Sequence, residues 1–224
     1  MTKELSEILA RVMSSLPPPV ELTREEQARQ AREAELRTWL NTALKIGVPR
    51  RLWGASFGAG LPSSGLDRVR QYAEGGEAQG GRCLVLAGPT GVGKSYAAVA
   101  ALHAWESGGR RFLHFPALCG ALLDSQRRAE ALEAAKRTRF IVLDDFGAEY
   151  VKEGGLLEVL VDEIICHREA EILPTIITTN LTRDKLKDRL SDRIIDRFHG
   201  GWGRVFAVTG ASLRSVVAAD GVIV

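Results

Sequence analysis

The chain has 224 residues, 45% of them hydrophobic and 26% charged, with a formal net charge of +2. That length and balance fit one full domain with appendages, and the small charge excludes a global basic field, so any nucleic-acid contact rests on a local patch. With no run of about 18 apolar residues and no charged-then-apolar leader, a cytoplasmic protein with no membrane partner is expected.

Residues 2–16 carry Leu5, Ile8, Leu9, Val12 and Leu16 at helical spacing. Pro17, Pro18 and Pro19 would stop that helix and act as a stiff spacer. Thr23 with Glu26 makes a capping box. It predicts a second helix whose apolar stripe is Leu36, Trp39, Leu40, Ala43 and Leu44, ended by Gly47-Val48-Pro49. Charge over residues 1–50 is nearly balanced, which suits a helical region that docks a partner protein; the other reading is that it only packs on the main domain. Residues 51–81 read as a linker with one short helix around Ser64–Ala73.

From Arg82 the pattern changes, and residues 82–224 read as the main domain. Short apolar runs at 83–87, 111–115, 140–145, 175–180 and 204–208 alternate with helical stretches at 95–106, 117–137, 155–170 and 183–198. Near-continuous apolar strands separated by helices predict an α/β fold with a five-stranded parallel sheet between helices.

The run Gly88-Pro89-Thr90-Gly91-Val92-Gly93-Lys94-Ser95 follows the first of those strands and opens a helix. It fits G-x-x-x-x-G-K-[ST]. Glycines let backbone N–H groups curl around a polyphosphate, and the helix that follows points its positive end at the anion. Lys94 would reach the terminal phosphates, and the Ser95 hydroxyl would ligate Mg²⁺. Tyr96 follows directly and is counted with this ATP cradle. Asp144 and Asp145 end the strand "FIVLDD". Two carboxylates at the carboxyl end of a parallel strand face the ligand crevice. Asp144 would hold Mg²⁺ through water, and Asp145 would orient or deprotonate the attacking water. "DFG" also occurs in protein kinases, but their catalytic-loop motif is missing here.

Asn180 ends "TIITTN" and could bind the γ-phosphate or the lytic water, or merely cap the next helix. Over 184–198 three stripes recur at i,i+4: an apolar one (Leu186, Leu190, Ile194, Phe198), an acidic one, and a basic one of Arg189, Arg193 and Arg197. The basic stripe is either a set of surface ion pairs or the source of an arginine for the phosphate of a neighbouring subunit. Arg127, Arg128, Lys136, Arg137 and Arg139 gather in and after one helix, and Phe112, His114 and Phe115 are candidate stacking surfaces for DNA. The three cysteines, Cys83, Cys119 and Cys166, are far apart and without CxxC or zinc spacing, so a reduced compartment and no structural metal are expected.

The order of phosphate loop, "LDDFG", "TTN", "SDRIIDRF" and "SLR" resembles the AAA+ ATPases of bacterial and phage replicative helicase loaders (DnaC-like), and their close relatives, the IstB-like ATPases of insertion-sequence transposition. "KIGVPRRLWGASF" is similar to the segment these proteins carry ahead of the ATPase core. The resemblance covers roughly residues 45–216. It implies Walker A at Gly88–Ser95, Walker B at Asp144 and Asp145, sensor 1 at Asn180, an arginine finger at Arg197 with Arg193 next best, and a sensor-2 arginine at Arg214. It further implies Mg-dependent ATP hydrolysis in an ATP-dependent homo-oligomer, single-stranded DNA binding, and a hexameric replicative helicase held through residues 1–50. Many AAA+ proteins have Glu where Asp145 stands, and only a short tail follows Val208, so the helical lid is expected to be nearly absent. A transposition regulator, a small-molecule kinase and a non-hydrolysing ATP adaptor are the competing readings; "TTN" and the arginine helix argue against the kinase.

Overall fold

The computed structural model describes residues 23–58, 63–147 and 155–213. The predicted helix over 2–16, the triple proline and Arg214 lie outside them. The chain divides into two compact units, residues 1–39 and 40–224.

Helix α1 (Arg24–Lys45) crosses that division. Its capping box is formed: Thr23 N–H donates to Glu26 Oε2 at 2.8 Å, and Glu26 N–H donates back to Thr23 Oγ1 at 3.3 Å. The predicted stripe is only partly buried, since Trp39 and Ala43 are covered whereas Leu36 and Leu44 are exposed. Gly47, at φ +86°, turns the chain out of the helix, and Val48 N–H returns to Ala43 O at 2.9 Å. A Cβ on Gly47 would meet Phe112 O at 2.9 Å.

The segment read as a linker is part of the second unit. It carries α2 (Ser64–Glu74), whose Leu66, Val69 and Tyr72 are buried. The Tyr72 hydroxyl donates to Arg82 O at 2.6 Å, which fixes the entry to the first strand. The period of three to four between those apolar residues marks a packed helix face rather than a free connection.

The second unit holds β1 (Cys83–Ala87), α3 (Lys94–Ala104), β2 (Arg110–His114), α4 (Phe115–Leu123), α5 (Arg128–Arg137), β3 (Phe140–Asp144), α6 (Leu156–Ala170), β4 (Thr175–Thr179), α7 (Arg183–Arg189), α8 (Asp192–His199) and β5 (Gly203–Ala207). The five strands form one sheet in the order β2-β3-β4-β1-β5, every pairing parallel. Cys83, Val85, Ile141, Leu143 and Ile177 enter one core cluster with α4, α6 and α8. The alternate residues Leu84, Leu86, Val142 and Ile176 are buried as well. Burial of both faces explains why these strands read as unbroken apolar runs.

Two predicted helices are broken. The stretch 117–137 splits because Asp124 stops it: its side chain accepts from Gln126 N–H at 2.8 Å, and its carbonyl accepts from Arg127 and Arg128 N–H. The stretch 183–198 splits at Leu190-Ser191, where Ser191 Oγ caps α8 through Ile194 N–H at 3.3 Å. The same hydroxyl donates to Asp162 Oδ1 at 2.7 Å. Leu186, Leu190 and Ile194 stay buried across the break, so the apolar period survives although the helix does not.

Candidate functional site

The phosphate-loop sequence leaves β1 at its carboxyl end and enters α3. Gly88, Gly91 and Gly93 lie at φ +159°, +89° and +90°. A Cβ would meet Val208 O at 2.2 Å from Gly88 and Ser212 Oγ at 2.2 Å from Gly91. Only glycine therefore fits where the loop passes under residues 208–213. Three bonds hold it there: Gly88 N–H to Thr179 O at 3.2 Å, Leu213 N–H to Gly91 O at 2.9 Å, and Ser63 Oγ to Val92 O at 3.1 Å. The cradle is thus built by β1, β4, the end of β5 and the segment before α2.

Lys94, the first residue of α3, is 7% exposed. Its Nζ donates to Gly88 O and Pro89 O, each at 2.7 Å, and to Asn180 Oδ1 at 2.9 Å. Asn180 Nδ2 donates onward to Asp145 Oδ1 at 2.9 Å. Three residues far apart in sequence thus form one polar relay, because β4 lies between β1 and β3 in the sheet. Asp145 sits in the left-handed region at φ +62°, a conformation non-glycine residues adopt rarely and at functional turns. Asp144 ends β3 and is 3% exposed; its Oδ1 accepts from Thr178 Oγ1 at 2.7 Å. Ser95 follows Lys94, half-buried in the first turn of α3.

These residues fit a magnesium nucleotide. The glycine cradle is shaped for a polyphosphate, with a helix N-terminus and an ammonium group at its base. Among the described residues no three His, Cys, Asp or Glu side chains cluster as a metal cage. Mg²⁺ takes one or two protein oxygens and completes its shell with phosphate and water, and the Ser95 hydroxyl and the Asp144 carboxylate are the oxygens such an ion would use.

Other expected site residues lie elsewhere. The Tyr96 hydroxyl donates to Gly54 O at 3.3 Å and accepts from Ser56 N–H at 3.4 Å, so it secures the segment before the sheet to α3. Burial pushes its phenol above the ordinary range. Arg197 is half-buried and pairs with Glu169 on α6, Nε to Oε2 2.6 Å, while Arg193 is exposed one turn earlier. Phe112 and Phe115 are buried in the fold and cannot stack on bases. Arg128 donates to Leu122 O and Leu123 O, and Lys136 and Arg137 pair with Glu133, while Arg127, Arg137 and Arg139 are the exposed members of that basic group.

Sequence reasoning missed two residues. Thr178 touches both acidic residues, and its only signal was a hydroxyl two positions before Asn180. Arg168 is fully buried in α6, donating to the carbonyls of Ala135, Lys136, Thr138, Arg139 and Pro174 and to Thr175 Oγ1. Burial pushes its guanidinium down to about 9, still charged at neutral pH. It closes the carboxyl end of α5, where carbonyls and the helix dipole favour a cation.

No protein-family model and no curated protein matches the chain. Solved structures do. The DnaI structure aligns at 28% identity and TM-score 0.60, over 73% of this chain and 93% of its own. The DnaC helicase loader aligns at 24% identity and TM-score 0.57, over 72% of this chain and 100% of its own. AMPPCP-bound DnaA from Aquifex aeolicus aligns at 15% identity and TM-score 0.59, over 75% and 56%.

Proposed function

We propose that this chain, a member of the DnaC-like AAA+ family, is a Mg-dependent ATPase that loads a replicative DNA helicase onto single-stranded DNA. The observation that carries the catalytic part is the relay Lys94–Asn180–Asp145 at the mouth of the glycine cradle. Each group in it has a task in phosphoryl transfer, and the sheet order brings them together.

Lys94 Nζ lies on the loop carbonyls of Gly88 and Pro89 and on Asn180 Oδ1. The β- and γ-phosphates of ATP offer stronger, charged acceptors, so Nζ moves onto them. Asn180 then gives up Lys94 and keeps Asp145, its amide now beside the γ-phosphate. Asp145 takes a proton from, or orients, the water that attacks phosphorus in line with the leaving oxygen. Magnesium, held by Ser95 and Asp144, would neutralise charge on the phosphoryl oxygens. Arg197 or Arg193 of a neighbouring subunit would complete the site, which makes turnover depend on assembly. Hydrolysis thereby changes subunit packing rather than yielding a metabolite. No helix among the described residues is long and apolar enough to cross a membrane.

The test is phosphate release by wild type and Lys94→Ala, with and without single-stranded DNA, together with capture of the host's replicative helicase by the full chain and by a form lacking residues 1–39. Magnesium-dependent turnover that Lys94→Ala abolishes, and capture that truncation abolishes, are expected. Turnover only with a small-molecule acceptor, or capture of a transposase in place of the helicase, would overturn the loader reading.

A further inference from the structure

We propose that Thr178 is a positioning residue that locks the metal carboxylate and the water carboxylate into one unit; this rests on the roles given above to Asp144 and Asp145. Thr178 lies on β4 and is 1% exposed. Its hydroxyl has one proton, and the geometry commits it: Oγ1 donates to Asp144 Oδ1 at 2.7 Å. The same oxygen accepts the Asp145 N–H at 3.0 Å. The Thr178 carbonyl accepts from Phe146 N–H at 2.8 Å. One residue of β4 therefore binds three consecutive residues at the end of β3.

Two consequences follow. Asp144 becomes asymmetric, since Oδ1 carries the Thr178 donor, which fixes the carboxylate's rotation and would leave Oδ2 for the metal. Asp145 is held at φ +62°, where an L-residue stays only when its surroundings over-determine it. That conformation turns its carboxylate toward Asn180. Because one oxygen serves both acids, a shift of either is felt by the other, and metal binding pre-sets the water carboxylate. The neighbouring Thr179 hydroxyl donates to Phe146 O at 2.6 Å and accepts the Leu181 N–H at 3.1 Å, so it reaches neither acidic residue.

The experiment compares wild type, Thr178→Val, Thr178→Ala, Thr178→Ser and Thr175→Val. Readouts are the affinity for a fluorescent, non-hydrolysed ATP analogue in EDTA and across a magnesium titration, the kcat and KM of hydrolysis, and the melting temperature. Loss of the hydroxyl should weaken the magnesium half-saturation by about tenfold and lower kcat by about 10- to 100-fold, the range seen when a metal ligand loses its supporting hydrogen bond. Affinity in EDTA and KM should change less than about threefold. Thr178→Ser should restore both properties. Thr175→Val, equally buried at the far end of β4, should lower the melting temperature and leave the magnesium dependence alone. If Thr178→Val fails to fold, Thr178→Ala, which puts no methyl against Asp144, carries the comparison. Wild-type magnesium dependence that persists in Thr178→Val and Thr178→Ala overturns the role of Thr178 alone. A wild type whose nucleotide affinity ignores magnesium overturns the site reading, and this proposal with it.

Discussion

Replacing Glu169 by Gln tests whether Arg197 serves a neighbouring active site. In the isolated chain Arg197 Nε lies 2.6 Å from Glu169 Oε2, with the side chains 27% and 34% exposed. Nε makes no aligned hydrogen bond despite that distance, so the contact is chiefly charge attraction. A pair this open to water is worth about 1 kcal/mol, which leaves about one Arg197 in six unpaired. Glu169→Gln removes that hold, so the kcat of assembled protein should rise by up to about sixfold if Arg197 must reach another subunit's phosphate. Arg197→Ala should lower kcat by about a thousandfold, the usual effect of losing an arginine finger. The assay is steady-state phosphate release at concentrations where activity per chain has stopped rising. Mixing Arg197→Ala with Lys94→Ala chains should recover activity, since each supplies what the other lacks. Unchanged kcat in Glu169→Gln, with no more than a tenfold loss in Arg197→Ala, would refute the reasoning. A thousandfold loss in Arg193→Ala instead would assign the finger to the exposed arginine.

Lys94→Ala should weaken ATP affinity by at least about tenfold, the value of one charge-assisted hydrogen bond, as read by fluorescent-nucleotide titration. Arg168→Met should destabilise the fold by about 3–5 kcal/mol, a fall in melting temperature of about 10 °C, because a buried group of acceptors loses its donor. A fall under about 2 °C would show that water replaces the guanidinium. Asp162→Asn should raise the melting temperature at pH 7, because burial raises the Asp162 carboxyl above its ordinary value despite the Ser191 hydroxyl. The folded protein then binds that proton more tightly than the unfolded chain, so stability drops as pH rises through the raised value. The gain in Asn should accordingly shrink as pH falls toward the ordinary aspartate range, which calorimetry at a series of pH values would register.

What could be read from the sequence was local. The cradle is contiguous, and its glycines, lysine and serine announce a backbone shape and a charge before any fold is known. The five apolar runs announced a doubly covered parallel sheet for the same reason: burial on both faces leaves no polar alternation. Helix ends at 124 and 190 were hidden because apolar periodicity continues through a break when both segments face one core, as Leu186, Leu190 and Ile194 do. Arg168 was hidden because one arginine in a helix looks solvated; only the fold brings the carbonyls of residues 135–139 and 174 to it. Phe112 of β2 and Phe115 at the start of α4 misled in the opposite sense, since both fill the core while the basic group of Arg127 to Arg139 lies in and after α5.

The arrangement of the candidate site belongs to neither class. Lys94, Asp145 and Asn180 could each be named from motif position, yet their mutual contact depends on strand order, since 5-1-4-3-2 connectivity alone sets β4 between the other two. In that order Lys94 and Asp145 have one residue to share: Asn180 Oδ1 accepts from the lysine and Nδ2 donates to the carboxylate, so under the proposed function a γ-phosphate competes with Oδ1 for Lys94. Under the proposed function the Asn180–Lys94 contact is therefore one that ATP must displace. Any substitution that strengthens the hold of Asn180 on Lys94 should slow nucleotide entry, and any that loosens it should cost alignment of the attacking water.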